Sequence, residues 1–317
     1  AMASSAAVPL LVVATVATGW QEQAAAEQQL ELQEALAGGL AADVNGALTQ
    51  HLVGLVLVAE HPVVLSRSAA SLSPQDAALG DVGEVAPGLV ALGTFDSASR
   101  PIVALGVRSV DPQARLPAMA REALRRMPSG STSTMAFLSQ DQPSSIVLAA
   151  PIRQTGGSLA GIAVGELDRS WLARRLQRGV GDATLSAVVV DERGRVVVMA
   201  GNPITTGDDV ADRPSVVAAR EPGTARGTIR FQAGPDERLA GYARVPDSGW
   251  SVIVEQPTSE ALASVWASRE SPSSEANPRA NAPPFFSSAS ESAGVRPPTS
   301  APAIPRLGSI SSPMAEP

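Results

Sequence analysis

The sequence predicts an α+β protein in which one long N-terminal helix braces two modules built on antiparallel sheets, followed by a tail without stable structure. Three observations predict it. Between Gln21 and Glu60, apolar residues recur every fourth position (Leu36, Leu40, Val44, Leu48, Leu52), which draws one apolar stripe along a helix. Two separate clusters of short β-branched runs follow, each punctuated by turn residues, the first from Leu89 to Glu166 and the second from Ser186 to Glu255. From about Ala267 the chain becomes Ser/Pro/Ala-rich with no periodicity.

The chain from Ala1 to Trp20 carries no charge, and Glu22 is the first charged residue. Its run AAVPLLVVATVATGW is apolar enough to enter a membrane and closes on an interfacial Trp20. One reading is the outer part of a transmembrane helix; an exported signal sequence or a buried helix is the other. No basic stretch precedes the run, as it would in a complete signal peptide. The helix from Gln21 to Glu60 would extend roughly 60 Å at about 1.5 Å per residue, longer than one small domain needs. Pro62 stops it, and His61 is pushed out of the α region. Gly38, Gly39 and Gly46 each weaken its middle by about 1 kcal/mol relative to Ala.

Residues Val63 to Leu92 are mixed, with a short helix expected at Ser73–Gly80. In the first cluster, strands are expected at Leu89–Phe95 and Ile102–Val107, joined by the turn Asp96–Arg100. A helix follows at Pro112–Met127, with Leu116, Ala120 and Leu124 on one face. Strands then come at Thr134–Ser139, Ser145–Pro151 and Ser158–Glu166, the last pair joined through Gln154–Gly157. Asp168 caps a connecting helix, Arg169–Arg178.

In the second cluster, Ser186–Val190 and Arg195–Met199 form a hairpin about Asp191-Glu192-Arg193-Gly194, where Gly194 is free to take a positive φ. Strands at Thr228–Gln232, Leu239–Val245 and Ser251–Glu255 complete a small sheet with one face to cover. Its inward residues (Val188, Val190, Val196, Val198, Tyr242, Trp250) read as plain core. The tail from Glu270 to Pro317 cannot bury enough apolar surface to offset its chain entropy and is expected to be disordered and removable.

Composition excludes several chemistries. Cysteine is absent, so disulfides, thiolate metal sites and a Cys nucleophile are out. All 24 basic residues are Arg, which removes Schiff-base chemistry and the P-loop lysine. A net charge of −7 and 3% aromatics argue against nucleic acid. His51 and His61 lie ten residues apart on or beside the long helix and read as surface or packing residues. Asp208, Asp209 and Asp212 form an acidic loop, either solvated or holding a cation. Paired carboxylates such as Asp96 and Glu166 are the sole opening for an enzyme, and no ordered acid–base set accompanies them. No metal and no cofactor is expected.

The hairpin VVVDERGRVVV and the ending GYARVPDSGWSVIVEQP resemble the membrane-proximal module of the double Cache (dCache) family of bacterial extracytoplasmic sensors. The passage IVLAAPIRQTGGSLAGIAVGELDRSWLARRL resembles the end of a dCache membrane-distal module. The resemblance covers roughly Gln21 to Val265. It implies PAS-like modules on a stalk helix: a membrane or signal segment 1–20, stalk 21–62, distal module 63–178, proximal module 179–258, exit helix 259–269 and tail 270–317. In that family a second membrane helix and an output domain would stand where the tail is. Lost output, an end read in another frame, and a stand-alone exported protein all remain open.

The resemblance also points to a ligand pocket in the distal module. In amino-acid-binding members an Arg followed by a Trp-Tyr pair opens the helix over the pocket, and an Asp ends the last strand. Here the matching Arg is Arg115; Ala118 and Met119 stand where the aromatic pair would be, and Glu166 stands for the Asp. The expected ligand-binding residues are Arg115, Arg100, Glu166, Met119, Phe95 and Phe137. The amino-acid signature is broken, so a small organic anion or a moderately apolar metabolite is expected. The plain alternatives are a solvated Arg115, a Glu166 that merely precedes the helix cap, and core roles for Phe95 and Phe137.

The expected function is the small-molecule sensor of a receptor: a histidine kinase, a chemoreceptor or a cyclic-dinucleotide enzyme. The receptor would sit in the bacterial inner membrane with its sensor periplasmic or extracellular, with a homodimer through the stalk helix as an open alternative. A stand-alone membrane-anchored binding protein is the competing reading.

Overall fold

Helix α1 (Ala7–Glu60) is the spine of the molecule in a computed structural model that describes residues 7–61, 86–107, 111–127, 133–142, 145–181, 184–201 and 210–263. It ends one residue short of His61, in line with Pro62. Its start at Ala7 makes the apolar N-terminal run and the stalk one continuous helix. Leu40, Val44 and Leu48 of the expected stripe are buried, while Leu36 and Leu52 are only partly covered. Ala37, Ala41 and Ala47 lie buried beside them. These small side chains let the helix backbone come close to the sheets beneath it.

At Gly38 a methyl group would meet nothing within 4 Å. Gly38→Ala should therefore stabilise the protein by about 1 kcal/mol, the difference in helix propensity. Chemical denaturation checks this; an unchanged or lowered midpoint would contradict it.

The upper sheet holds β1 (Leu89–Asp96), β2 (Pro101–Gly106), β3 (Met135–Leu138), β4 (Ile146–Arg153) and β5 (Leu159–Leu167), in the order β2-β1-β5-β4-β3. Helix α2 (Pro112–Arg126) is inserted between β2 and β3. Asp168 caps α3 (Arg169–Val180) by accepting from the Ser170 N–H at 2.8 Å. The lower sheet holds β6 (Ser186–Val190), β7 (Val196–Gly201), β8 (Arg226–Ala233), β9 (Asp236–Arg244) and β10 (Ser251–Pro257), in the order β7-β6-β10-β9-β8. Helix α4 (Pro214–Arg220) lies between β7 and β8. The two sheets repeat one topology, each with its last strand at the centre and a helix inserted after its second. The turns form where the glycines allow them: Gly157 and Gly194 take φ of 79° and 80°.

The expectation of one covered face per sheet needs correction, because both faces are covered. α1 and α3 pack on one side of the upper and lower sheets in a shared core. α2 closes the other side of the upper sheet and α4 that of the lower. The residues of β6 are accordingly all buried. The inward set of the lower module is also corrected. Val188, Val190, Val196 and Tyr242 face α4, but Val198 and Trp250 belong to the core on the α1 side. Val190 pairs with Val196 and Val189 with Val198, so Val197 is an extra residue and the alternation flips across it.

The helix expected at Ser73–Gly80, the acidic pair Asp208–Asp209 and the tail from Glu270 lie outside the described residues. The exit helix is helical from 258 to 263, and its remainder is not described.

Candidate functional site

Arg115 lies in the first turn of α2, beside an inner face (Leu116, Met119, Ala120, Ala123) that is fully buried. It therefore emerges at the edge of the helix–sheet core, with its side chain 32% exposed. From there its guanidinium reaches three partners. Nε donates to Gln142 Oε1 at 2.9 Å, and Nη2 donates to Ser145 Oγ at 2.8 Å and pairs with Glu166 Oε1 at 2.5 Å. Ser145 in turn donates to the same Glu166 oxygen at 2.8 Å.

Glu166 sits on the central strand β5, opposite Ala91 of β1 and Val147 of β4. It is 4% exposed, and its Oε2 has no hydrogen-bond partner. A buried carboxylate with one oxygen unfilled is costly. The site thus offers a half-exposed donor fork beside a buried acceptor that lacks a donor.

The structure brings Arg115 and Glu166 together as an ion pair that no sequence spacing indicated, and the other four expected residues have different places. Phe95 and Met119 are fully buried in the core beneath α2. Phe137 joins that core, and the Arg126 guanidinium stacks 4.3 Å over its ring. Arg100 stands at the β1–β2 turn with its side chain 80% exposed and pairs with Asp96 at 3.1 Å. That turn is five residues along β1 from Ala91, about 17 Å at the usual strand rise, so Arg100 lies at the other end of the sheet. Asp96 pairs with Gly161 and Glu166 with Ala91, five positions apart along both strands, so Asp96 and Glu166 do not form an acid–base pair. Burial would raise the Asp96 carboxyl. The backbone N–H groups of Arg100 and Ala98 and the Arg100 guanidinium outweigh it and hold the group below the ordinary carboxylate range.

Sequence reasoning missed Gln142 and Ser145. They lie in a polar turn between two strands, and no spacing rule links them to a helix some thirty positions earlier. It also missed Glu122, which is 2% exposed. Its carboxylate accepts from Arg126 at 2.8 Å, from Ser139 Oγ at 2.8 Å and from the Gln140 N–H at 3.1 Å.

The lower module holds a counterpart that is closed. Glu255 on its central strand is fully buried and accepts from Arg213 at 2.6 and 2.8 Å and from Ser215, with Arg238 at 3.8 Å. Arg213 caps the start of α4 as Arg115 stands at the start of α2. In both modules, then, an Arg and a Ser hold a Glu on the last strand, but only the upper Glu keeps an unpartnered oxygen.

Other features are structural. His51 is buried, its ring nitrogens lie 2.6 Å from Ala47 O and 3.0 Å from Pro87 O, and Trp171 packs edge-on at 5.0 Å. This is the packing role expected of it. Asp43 holds Arg175 of α3 against α1 through two bonds of 2.7 and 2.8 Å. That bonding raises the Arg175 pKa above its ordinary value. Among the described residues, no three His, Asp or Glu side chains are placed to hold a metal ion. A cavity of about 210 Å³ lies where α1 passes β3 and the β9–β10 turn, lined by Leu52, Val56, Met135 and Asp247 among others.

No known family model matches this sequence, and no curated protein matches it either. Solved structures do. The extracellular domain of rpHK1S-Z16, assigned as a histidine kinase, superposes with a TM-score of 0.56 at 16% identity over 74% of this chain and 97% of its own. The ligand-binding domain of the Campylobacter jejuni chemoreceptor Tlp3, solved with L-valine, gives 0.54 at 11% identity over 77% and 98%. That of the Pseudomonas aeruginosa PAO1 amino acid chemoreceptor PctB, solved with L-Arg, gives 0.54 at 16% identity over 77% and 94%. Two five-stranded sheets of one topology, strung along a single helix and matched across nearly the whole of each neighbour, give this chain the double Cache fold of extracytoplasmic sensor domains.

Proposed function

We propose that this chain is the extracytoplasmic small-molecule sensor of a bacterial inner-membrane receptor, and that its ligand docks at the Arg115–Glu166 pair. The observation that carries this reading is the buried, unpartnered Oε2 of Glu166 beside a partly exposed guanidinium. The apolar start of α1 supports membrane anchorage. Among the described residues, the span long and apolar enough to cross a membrane is Gln23–Glu60. Because that span packs on both sheets, we assign the anchor to the part of the helix before it.

In the sequence, the absence of the aromatic pair at Ala118 and Met119 favours a small organic anion or a moderately apolar metabolite. With Glu166 already on the guanidinium, a bare anion would meet a carboxylate. The ligand that fits is a small organic acid that also carries a hydrogen-bond donor, a hydroxy or amino acid. Its carboxylate takes the fork of Arg115, and its donor fills Glu166 Oε2. The L-valine and L-Arg held by the Tlp3 and PctB structures are of this class.

A thermal-shift screen of the full chain against plain carboxylates, hydroxy acids and amino acids tests the reading. Donor-bearing acids should stabilise the protein. Arg115→Ala should weaken their binding by about 1.5–3 kcal/mol, the scale of a charged hydrogen bond, and Glu166→Gln should narrow the preference for the donor. Shifts that survive Arg115→Ala unchanged would place the ligand elsewhere.

The open face of α1 supports a homodimer. Leu32, Ala35, Gly39, Ala42, Gly46, Thr49 and Val53 are all exposed and alternate in steps of three and four. That is the three–four spacing of a coiled-coil seam, here made mostly of small residues, and no charged residue between Leu32 and Leu57 is fully exposed. Ala42→Glu and Val53→Glu should each convert a dimer to monomer in sedimentation experiments in detergent. Variants that sediment like the parent would count against this seam.

A further inference from the structure

Resting on that reading of the site, we infer that the turn joining β3 to β4 transmits the state of the Arg115–Glu166 pair to the lower module. Three sets of contacts meet in this turn. On the site side, Gln142 Oε1 and Ser145 Oγ both accept from Arg115, and Ser145 donates on to Glu166. Inside the turn, the Gln142 N–H donates to Ser139 Oγ at 3.1 Å, and Ser139 Oγ donates to the buried Glu122 of α2 at 2.8 Å. The Gln140 N–H donates to the same carboxylate. These bonds tie the described residues of the turn into one unit hooked on α2.

On the far side, the turn docks on the lower module. Arg195 Nη2 donates to Leu138 O at 3.2 Å. With its amide turned so that the oxygen faces the guanidinium, the orientation that satisfies both groups, Gln140 accepts from Arg193 Nη1 at 2.6 Å and Nη2 at 3.1 Å. Arg193 and Arg195 flank Gly194 at the tip of the β6–β7 hairpin. Asp191 braces that tip by accepting from the N–H groups of both arginines at 2.9 Å and from Arg195 Nε at 2.8 Å. The turn therefore has one end in the ligand site and the other on a stiff hairpin of the second module.

A ligand whose carboxylate takes Arg115 competes with Gln142 and Ser145 for the same N–H groups. Released on that side, the turn shifts against the Glu122 hook and carries Leu138 and Gln140 with it. The hairpin tip follows through its two arginines. The modules also touch through α1 and through α3, where Arg169 donates to Val197 O at 2.6 Å and Gln177 accepts from the Gly201 N–H at 2.7 Å. Those contacts involve none of the side chains that hold Arg115, so the relay and the general packing give different results under mutation.

The test is a double-mutant cycle read by hydrogen exchange on the full chain, with Arg115→Ala standing in for ligand. The reporters are the Asp191 and Gly194 amides at the hairpin tip, bonded to Arg195 O and Asp191 O at 2.9 Å. Arg115→Ala should speed their exchange about fivefold or more, the lower end of typical couplings between sites. In a Gln140→Ala background, which removes the Arg193 arm and leaves only Arg195 on Leu138 O, the same change should have a smaller effect, about twofold. Arg193→Ala should uncouple in the same way. If Arg115→Ala also exposes the amides of β4 and β5, Gln142→Ala replaces it as the milder release. A hairpin that ignores the site variant, or that responds equally with and without Gln140, overturns the relay. Because the cycle uses no ligand, it succeeds or fails independently of the screen that tests the ligand site.

Discussion

Arg213→Ala should cost about 3–5 kcal/mol of folding stability. Glu255 is fully buried, and Arg213 provides its two-pronged partner at 2.6 and 2.8 Å. Without that guanidinium the carboxylate keeps only Ser215 and Arg238, the latter at 3.8 Å. A buried charge that loses its main partner retains its desolvation cost without the compensating attraction. Arg213 also lies 5.3 Å from the Phe231 ring centroid, so some packing is lost with it. Replacing the pair together, with Arg213→Met and Glu255→Met, should recover most of the loss, because no charge is then left buried. Urea denaturation of the single and double variants measures both. A cost below about 1 kcal/mol for Arg213→Ala, the range of an exposed pair, would mean that water reaches Glu255.

Gly241→Ala should be comparably severe, by steric overlap. Gly241 lies in β9, directly beneath α1, and a methyl group there would fall 2.3 Å from the Gln33 carbonyl carbon and 2.4 Å from the Glu34 nitrogen. Both atoms are helix backbone, which cannot rotate aside as a side chain can. Either α1 lifts from the lower sheet or the strand bends. Overpacking costs typically 1–3 kcal/mol and sometimes more; with backbone on both sides of the clash, a loss of about 3 kcal/mol is expected. Hydrogen exchange should show α1 loosening around Gln33 to Ala41 while the upper sheet stays protected. A variant with unchanged stability would mean that the helix rides farther from the sheet than these contacts require.

The closed lower triad and the open upper one bear on function as well as stability. One topology, used twice, puts a Glu on the central strand and an Arg at the start of the covering helix in both modules. The lower pair is filled by the protein itself, through Ser215 and a second arginine. The upper pair lacks that second arginine. In the function proposed above, a ligand supplies the contact missing there.

Much of the fold was legible in the sequence because its signals are local. Pro62 ends α1, Gly194 permits the β6–β7 turn, Asp168 caps α3, and the runs of β-branched residues mark their strands. Each depends on the conformational preference of a few neighbouring residues. Arg115 and Glu166 were legible as residues but not as a bonded pair, since nothing local relates a helix start to the end of a later strand. The two-sided burial of the sheets was legible in part: runs such as Ser186–Val190 and Ile146–Ala150 are apolar at successive positions, where a strand with one solvated face would alternate, but the runs alone do not say which helix covers each face.

What the sequence determined by itself is therefore the list of elements and the turns between them, through backbone preferences that need no partner. What only the tertiary structure decided is who faces whom. The extra residue at Val197 turns Val198 toward α1 because register, not composition, sets the face of a strand residue. The docking of α1 across both sheets forces a glycine at position 241 because two backbones meet there. Arg213 and Glu255, forty-two residues apart, become partners because a sheet and a helix close over them. Glu166 keeps one oxygen unpartnered because, among the described residues, the fold that brings Arg115 and Ser145 to it places no further donor there.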